Sequence, residues 1–243
     1  MDYDRDTRNA YRNEFKAKEY QEQYTKGTKW ARFTMWRQKA LVAKIIKQCE
    51  LTKTSTILDI PCGTGFIGRL LSKTPAVIVA SDISTEMMER ARKEYVGKNF
   101  AGFVQCDITK PPFRKKSFDC VILLAFVHRL PKEIRHTTWE NIVELSKRFV
   151  IVNYSVDSRS QRLKQRFLKA VRPNYIPAPS WLSIEDIVRE VESFNMVVRK
   201  IVHIAYFFSG KVLLLLEENV PSDVILSNDQ RGEFREDSNC MPK

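Results

Sequence analysis

The sequence predicts an α/β fold built on a parallel sheet covered by helices on both faces. Two observations carry this. From residue 51 onward, short apolar segments alternate with segments of helical periodicity. Those short segments are apolar nearly throughout, as strands buried on both faces are. A third observation places a site on the sheet: "ILDIPCGTGFIG" (57–68) sets Gly63, Gly65 and Gly68 in a G-x-G-x-x-G directly after the first strand.

Each element follows from local pattern. Residues 2–50 are helical with one break at "TKGTK" (25–29), after which Leu41, Val42, Ile45, Ile46 and Cys49 share a face. "STILDI" (55–60) is the first strand, and residues 64–72 continue as a helix. "AVIVASD" (76–82) is the second strand, followed by a helix capped by Ser84 whose Met87, Met88, Ala91 and Tyr95 align. "GFVQCD" (102–107) and "FDCVILLA" (118–125) are the third and fourth strands, and a helix over 132–147 leads to "RFVIVNY" (148–154). Ser183 with Asp186 resembles a capping box opening a helix with the stripe Ile184, Ile187, Val188, Val191 and Phe194. Residues 196–208 and 211–218 form an antiparallel hairpin through "SG". The expected organisation is a helical N-terminal cap or lid over 1–50, a sheet domain over 51–218 and a flexible tail over 219–243.

Composition narrows the class. With 243 residues and 43% hydrophobic content, the chain can bury one substantial core. Its longest apolar runs, 121–127 and 212–216, fall far short of the roughly 20 residues of a membrane helix. No apolar segment follows Met1, and the five cysteines are scattered without a C-x-x-C pair, so a cytoplasmic protein with reduced thiols is expected. A net charge of +12 favours an anionic partner or substrate.

Three ligands compete for the glycine loop. A phosphate-binding P-loop needs Lys and Ser/Thr after its last glycine, where this chain has Arg69 and Leu70. A dinucleotide fits the glycines and Asp82, which ends the second strand and can grip a ribose diol. However, Asp59 stands at the tip of the first strand, where a pyrophosphate would rest, and its repulsion costs on the order of 1 kcal/mol or more. A cationic adenosine ligand is attracted instead. With Asp107 ending the third strand and able to accept from an adenine amine, the three carboxylates point to S-adenosylmethionine.

"LDIPCGTG" (58–65), "ASDIS" (80–84) and the stretch from Val104 to Pro131 resemble the successive motifs of class I S-adenosylmethionine-dependent methyltransferases of the broad type-11 group. The resemblance is close over about 50–155. It implies a Rossmann-like, seven-stranded sheet of order 3-2-1-4-5-7-6 with the last strand antiparallel. It also implies that Asp59, Gly63 and Gly65 hold the methionine portion, Asp82 the ribose, and Asp107 with Ile108 the adenine, while Leu124 and Ala125 line the sulfonium. Pro61 and Cys62 in the loop, and Ile83 and Met87 after the second strand, belong to the same cofactor segment. The Cys62 thiol has no basic neighbour to activate it and is expected to be a packed spectator. Tyr24, Trp30 and Arg37 in the lid are candidates for the cofactor carboxylate and for stacking. Two departures stand out: Pro61 replaces the first glycine of the usual loop, and His128-Arg129 replaces a paired histidine.

His128, just past the fourth strand, is the candidate base for a hydroxyl acceptor, with packing beneath the cofactor as its competing role. No Glu-Glu-His cluster surrounds it, and no metal is expected. A basic amphipathic helix over 158–172 and a Pro- and aromatic-rich wall over 172–181 sit where the family inserts substrate-recognition elements. The acceptor expected from this is small or lipid-linked, favoured if anionic, with peripheral contact to an anionic membrane as one use of the basic helix. An RNA acceptor and a non-catalytic S-adenosylmethionine-binding module are the alternatives.

Overall fold

Helix α1 (Glu14–Thr25) and helix α2 (Lys29–Gln48) precede the sheet, and the break between them is closed by Thr28, whose hydroxyl accepts from the Ala31 N–H at 3.2 Å. The computed structural model describes residues 14–25, 27–157, 162, 166, 170–171, 182–205 and 209–219. Nearly all of the basic stretch 158–172, the wall 172–181 and the tail beyond Asn219 lie outside the described residues. Of that basic stretch, Arg162 and Arg166 are helical and exposed, and Arg162 pairs with Asp157 at 3.0 Å.

The strands are β1 (Thr56–Asp59), β2 (Val77–Asp82), β3 (Phe100–Gln105), β4 (Phe118–Leu123), β5 (Ser146–Ser155), β6 (Met196–Ala205) and β7 (Ser209–Glu218). They form one sheet of order β3-β2-β1-β4-β5-β7-β6, in which β7 runs antiparallel to both of its neighbours. Between them lie α3 (Gly68–Leu71), α4 (Thr85–Ala91), a 3-10 turn (Val127–Arg129), α5 (Lys132–Leu145) and α6 (Ile184–Glu192).

Period-two alternation explains why the strands are apolar without interruption. Ile57, Ile122, Ile151 and Leu213 pack to one side with α2 and α4, whereas Leu58, Val121, Val152 and Leu214 pack to the other with α5 and α6. The Val42, Ile45, Ile46 and Cys49 face of α2 belongs to the first of these cores, so the N-terminal cap continues into the layer that covers the sheet.

Three boundaries differ notably from expectation, the first being α4, which ends at Ala91 and leaves Tyr95 of the expected stripe beyond the helix. The helix expected over 64–72 is confined to Gly68–Leu71, because Gly63 (φ +53°) and Gly65 (φ +79°) are left-handed and cannot enter a right-handed helix. The third strand starts earlier and stops at Gln105: Phe100 stacks on Tyr95 at 4.9 Å, and Asp107 turns the chain by accepting from the Thr109 N–H at 2.9 Å. Asp107 therefore lies two residues past the strand end.

The second core contains a buried polar relay. Trp139 on α5 donates its indole N–H to the Tyr154 hydroxyl at 3.0 Å, and Tyr154 donates to Glu190 on α6 at 2.9 Å. Arg135 holds the other oxygen of Glu190 at 2.6 Å. Tyr154→Phe leaves the buried Trp139 N–H without an acceptor, so the variant is expected to lose about 1–3 kcal/mol. Urea unfolding should show a lower midpoint at unchanged slope.

Candidate active site

The parallel strands deliver their carboxyl ends to one edge, the place where open α/β sheets bind ligands. β1 ends there in Asp59, and a cis Ile60–Pro61 bond leads into the glycine loop. A side chain at Gly65 would meet Glu94 Cβ at 2.8 Å, whereas at Gly63 it would meet open space. Gly65 is thus required by close packing, and Gly63 by its φ alone.

Asp82, at the end of β2, ties this loop down. Its carboxylate accepts from the Gly63 N–H at 2.8 Å and the Ser84 N–H at 2.9 Å, and Ser84 in turn caps α4 by accepting from the Met87 N–H at 3.1 Å. Asp59 is 2% exposed and accepts the Tyr95 hydroxyl at 2.5 Å. Burial pushes the Asp59 carboxyl up to about 7; the Tyr95 hydrogen bond opposes the shift and the Asp82 charge adds to it. Asp82 rises to about 6 through burial, against the pull of its backbone donors. Cys62 has its thiol pushed well up by burial and by both carboxylates, which makes it unreactive.

Beside Asp59 opens a cavity whose empty space, mouth and adjoining solvent included, is about 660 Å³. Pro61, Cys62 and Gly63 line it from the loop, and Leu124 and Ala125 from beyond β4. Ala125 holds a left-handed φ of +57°, secured by its N–H donating to Asn153 Oδ1. Tyr20 of α1 and Thr34, Met35 and Gln38 of α2 close the cavity from the N-terminal side, while Ile204 and Lys211 enter from the hairpin. β7 is antiparallel, so its first residues reach the same edge, with Lys211 opposite Ser155.

The remaining candidates are distributed around this cavity. Asp82, Met87 and Ile108 are buried nearby without lining it, as Gly65, Ile83 and Asp107 are not among its walls either. Trp30 and Arg37 are not among the lining residues: Trp30 is 42% exposed, and the Arg37 guanidinium donates to the carbonyl of Ile204, which does line the cavity. The Tyr24 side chain lies outside the described residues. His128 is displaced from the cavity wall, and its Nδ1 is buried without a partner. Burial and the charges of Arg129 and Lys211 lower its pKa to about 4. Among the described residues no cluster of His, Cys, Asp and Glu could hold a metal ion, and no helix is long and apolar enough to cross a membrane.

Sequence reasoning missed Tyr95, Gln38 and Lys211 as site residues. Tyr95 sat in an apolar stripe, yet a buried tyrosine hydroxyl needs a partner. Gln38 is a polar residue at an inward position of α2, 7% exposed. Lys211 is the cation that precedes the apolar run 212–216 of β7. By area it is exposed, because the cavity is open, but its ammonium is held below the usual lysine range by desolvation first and by Arg129 second.

Residues 57–148 match the family model described as a methyltransferase domain. That segment, which runs from β1 into β5, is therefore similar to a methyltransferase domain. It is 32% identical over 124 residues to a demethylmenaquinone methyltransferase from Clavibacter sepedonicus, covering 49% of this chain and 50% of that relative. It is 32% identical over 95 residues to a malonyl-[acyl-carrier protein] O-methyltransferase from Legionella pneumophila, covering 37% of this chain and 34% of the relative. The chain thus matches half or less of the length of these curated relatives. The fold superposes on magnesium protoporphyrin IX methyltransferase from Synechocystis PCC 6803, solved with S-adenosylhomocysteine, at TM-score 0.69 and 16% identity over 87% of this chain and 97% of that one. The sheet order expected from the resemblance is the one observed.

The raised carboxyls of Asp59 and Asp82 carry a stability signature. Their ordinary value is 3.8, and the folded values are about 7 and about 6. The folded state therefore holds more protons between those limits, so their contribution is fully present below about pH 4 and is lost as pH rises through about 7. Ligand-free protein is expected to lose on the order of a few kcal/mol over that window from these groups. Asp59→Asn should flatten the slope of unfolding free energy against pH.

Proposed function

We propose that this protein transfers a methyl group from S-adenosylmethionine to a small or lipid-linked acceptor, with an anionic acceptor favoured. The observation that carries the reading is the pair of buried carboxylates, Asp59 and Asp82, at adjacent strand ends, with Asp82 accepting from the Gly63 N–H of the glycine loop and a cavity opening at Asp59. A buried acid whose own protein environment disfavours its charge is suited to a cation. The ammonium of S-adenosylmethionine answers Asp59, and the ribose answers Asp82 through lone pairs left beside its two backbone donors. Gly63, whose missing side chain would enter open space, leaves room for the ligand. Asp107 and Ile108 beyond β3 are assigned to the adenine, with Ile83 and Met87 behind them.

When bound, the cofactor supplies a methyl group already activated on its sulfonium. The chain's own task is then alignment, with Met35, Phe66 and Leu124 giving the cavity an apolar lining. Lys211 at the far wall, with Arg129 close enough to depress its pKa, attracts an acceptor anion. An acceptor that arrives deprotonated needs no base, which suits a His128 that is neutral near pH 7 and only weakly basic. A hydroxyl acceptor is the case in which His128 would have to take a proton.

Calorimetry on the full chain should show S-adenosylhomocysteine binding, weakened about tenfold or more in Asp82→Ala. Affinity for S-adenosylmethionine should fall as pH drops through about 7, since protonated Asp59 no longer attracts the ammonium. Absence of binding at millimolar ligand would overturn the assignment. Labelled methyl transfer into cell extract tests the acceptor: label in solvent-extractable or small-molecule fractions supports the reading, whereas label released by ribonuclease would replace it with an RNA acceptor. Lys211→Met should lower kcat/KM about tenfold or more, the value of one charge-assisted contact, with cofactor affinity little changed.

A further inference from the structure

We propose that the outward face of α2 docks this protein on an anionic lipid surface. On α2, Trp30, Phe33 and Trp36 project on the side opposite Val42, Ile45 and Cys49, which are packed in the core. Their exposures are 42%, 43% and 64%, large for aromatic side chains on a rigid helix. They touch each other in sequence, with ring centroids 5.5 Å apart for Trp30 and Phe33 and 6.1 Å for Phe33 and Trp36. The result is a continuous aromatic ridge.

Charge along the helix that carries the ridge has one sign, although the neighbouring α1 holds Glu14, Glu19 and Glu22 beside Lys16 and Lys18. Lys29, Arg32, Lys44 and Lys47 are exposed on α2, which holds no acidic residue from Lys29 to Gln48. Exposed Trp and Phe flanked by Lys and Arg is the pattern of helices that lie in the plane of a membrane interface: indole rings favour the headgroup level, and the cations meet anionic headgroups. A nucleic acid fits the charge but not the shape, because base stacking uses separated aromatics along a groove, whereas these rings cover one another on a convex surface. The chain as a whole is basic, with a net charge of +12, so approach to an anionic bilayer is not opposed.

Docking on this face has a consequence for the site. Thr34, Met35 and Gln38 of the same helix line the cavity. A bilayer against Trp36 therefore lies one helix diameter from the cavity, on the order of 10 Å, within reach of a lipid-linked acceptor. Only this consequence rests on the proposed methyl transfer, since docking itself is read without turnover.

The test is co-flotation of the full chain with vesicles of phosphatidylcholine alone or with about one-third phosphatidylglycerol. The expected result is partition onto the anionic vesicles at roughly 1 mM lipid, reduced at least about tenfold by Phe33→Ser/Trp36→Ser and by Arg32→Glu/Lys44→Glu. Circular dichroism and calorimetric binding of S-adenosylhomocysteine should be unchanged in both variants, which separates loss of docking from loss of fold or cofactor site. Brominated phosphatidylcholine in the anionic vesicles should quench tryptophan fluorescence of the wild type, by insertion of the ridge. Failure to float with anionic vesicles, or equal partition of the Phe33→Ser/Trp36→Ser variant, overturns the proposal. So does a concentration-dependent dimer abolished by that variant, which would give the face to a second copy, or ribo-oligonucleotide binding that the same substitutions remove.

Discussion

Two carboxylates buried side by side at the edge of the sheet set the terms for everything around them. Asp59 and Asp82 lose most of their hydration, and their charges repel each other, so the protein must supply donors. It does so with the Tyr95 hydroxyl for Asp59 and with two backbone N–H groups for Asp82. Those bonds hold Gly63 at a left-handed φ, fix the entry to α4 through Ser84, and draw Tyr95 under the loop. Even so, desolvation outweighs the donors, and both acids stay above their ordinary range. An environment that leaves both acids with acceptor capacity and short of positive charge suits the proposed cationic ligand better than the protein's own stability.

The opposite wall has the complementary problem. Desolvation and, after it, the nearby Arg129 disfavour the charge of Lys211, and His128 is neutral beside them. The cavity therefore runs from an acidic end on β1 to a basic end on β7. Such polarity suits the proposed pairing of a cationic methyl donor with an anionic acceptor. α2 spans both roles, since its inner side packs on the sheet and lines the cavity while its outer side carries the aromatic ridge.

How much of this was legible in sequence depended on range. The strands and the Ser84 and Ser183 caps are local patterns, repeated every two or about four residues, and they were readable within a residue or two. So was the glycine loop, although the helix after it was overextended: helical periodicity does not register that Gly63 and Gly65 have adopted φ values outside the helix. Trp30 and Arg37 were assigned to the lid by residue type alone. Which way they point depends on the rotation of α2 about its axis, and that rotation is set by Val42, Ile45 and Ile46 finding the sheet.

By itself, the sequence determined the α/β class, the sheet's alternation and the carboxylates at its strand ends, because each follows from contacts between near neighbours in the chain. Tertiary structure decided the rest. The Asp59–Tyr95 bond joins residues 36 apart, and the approach of Lys211 to the cavity depends on β7 inserting antiparallel between β5 and β6. Burial decided protonation: an aspartate in a sequence is an ordinary acid, and only the packed edge of this sheet raises Asp59 to about 7. Exposure of the aromatic ridge was likewise unreadable, since a Trp and Phe stripe serves a core equally well until the fold turns it outward.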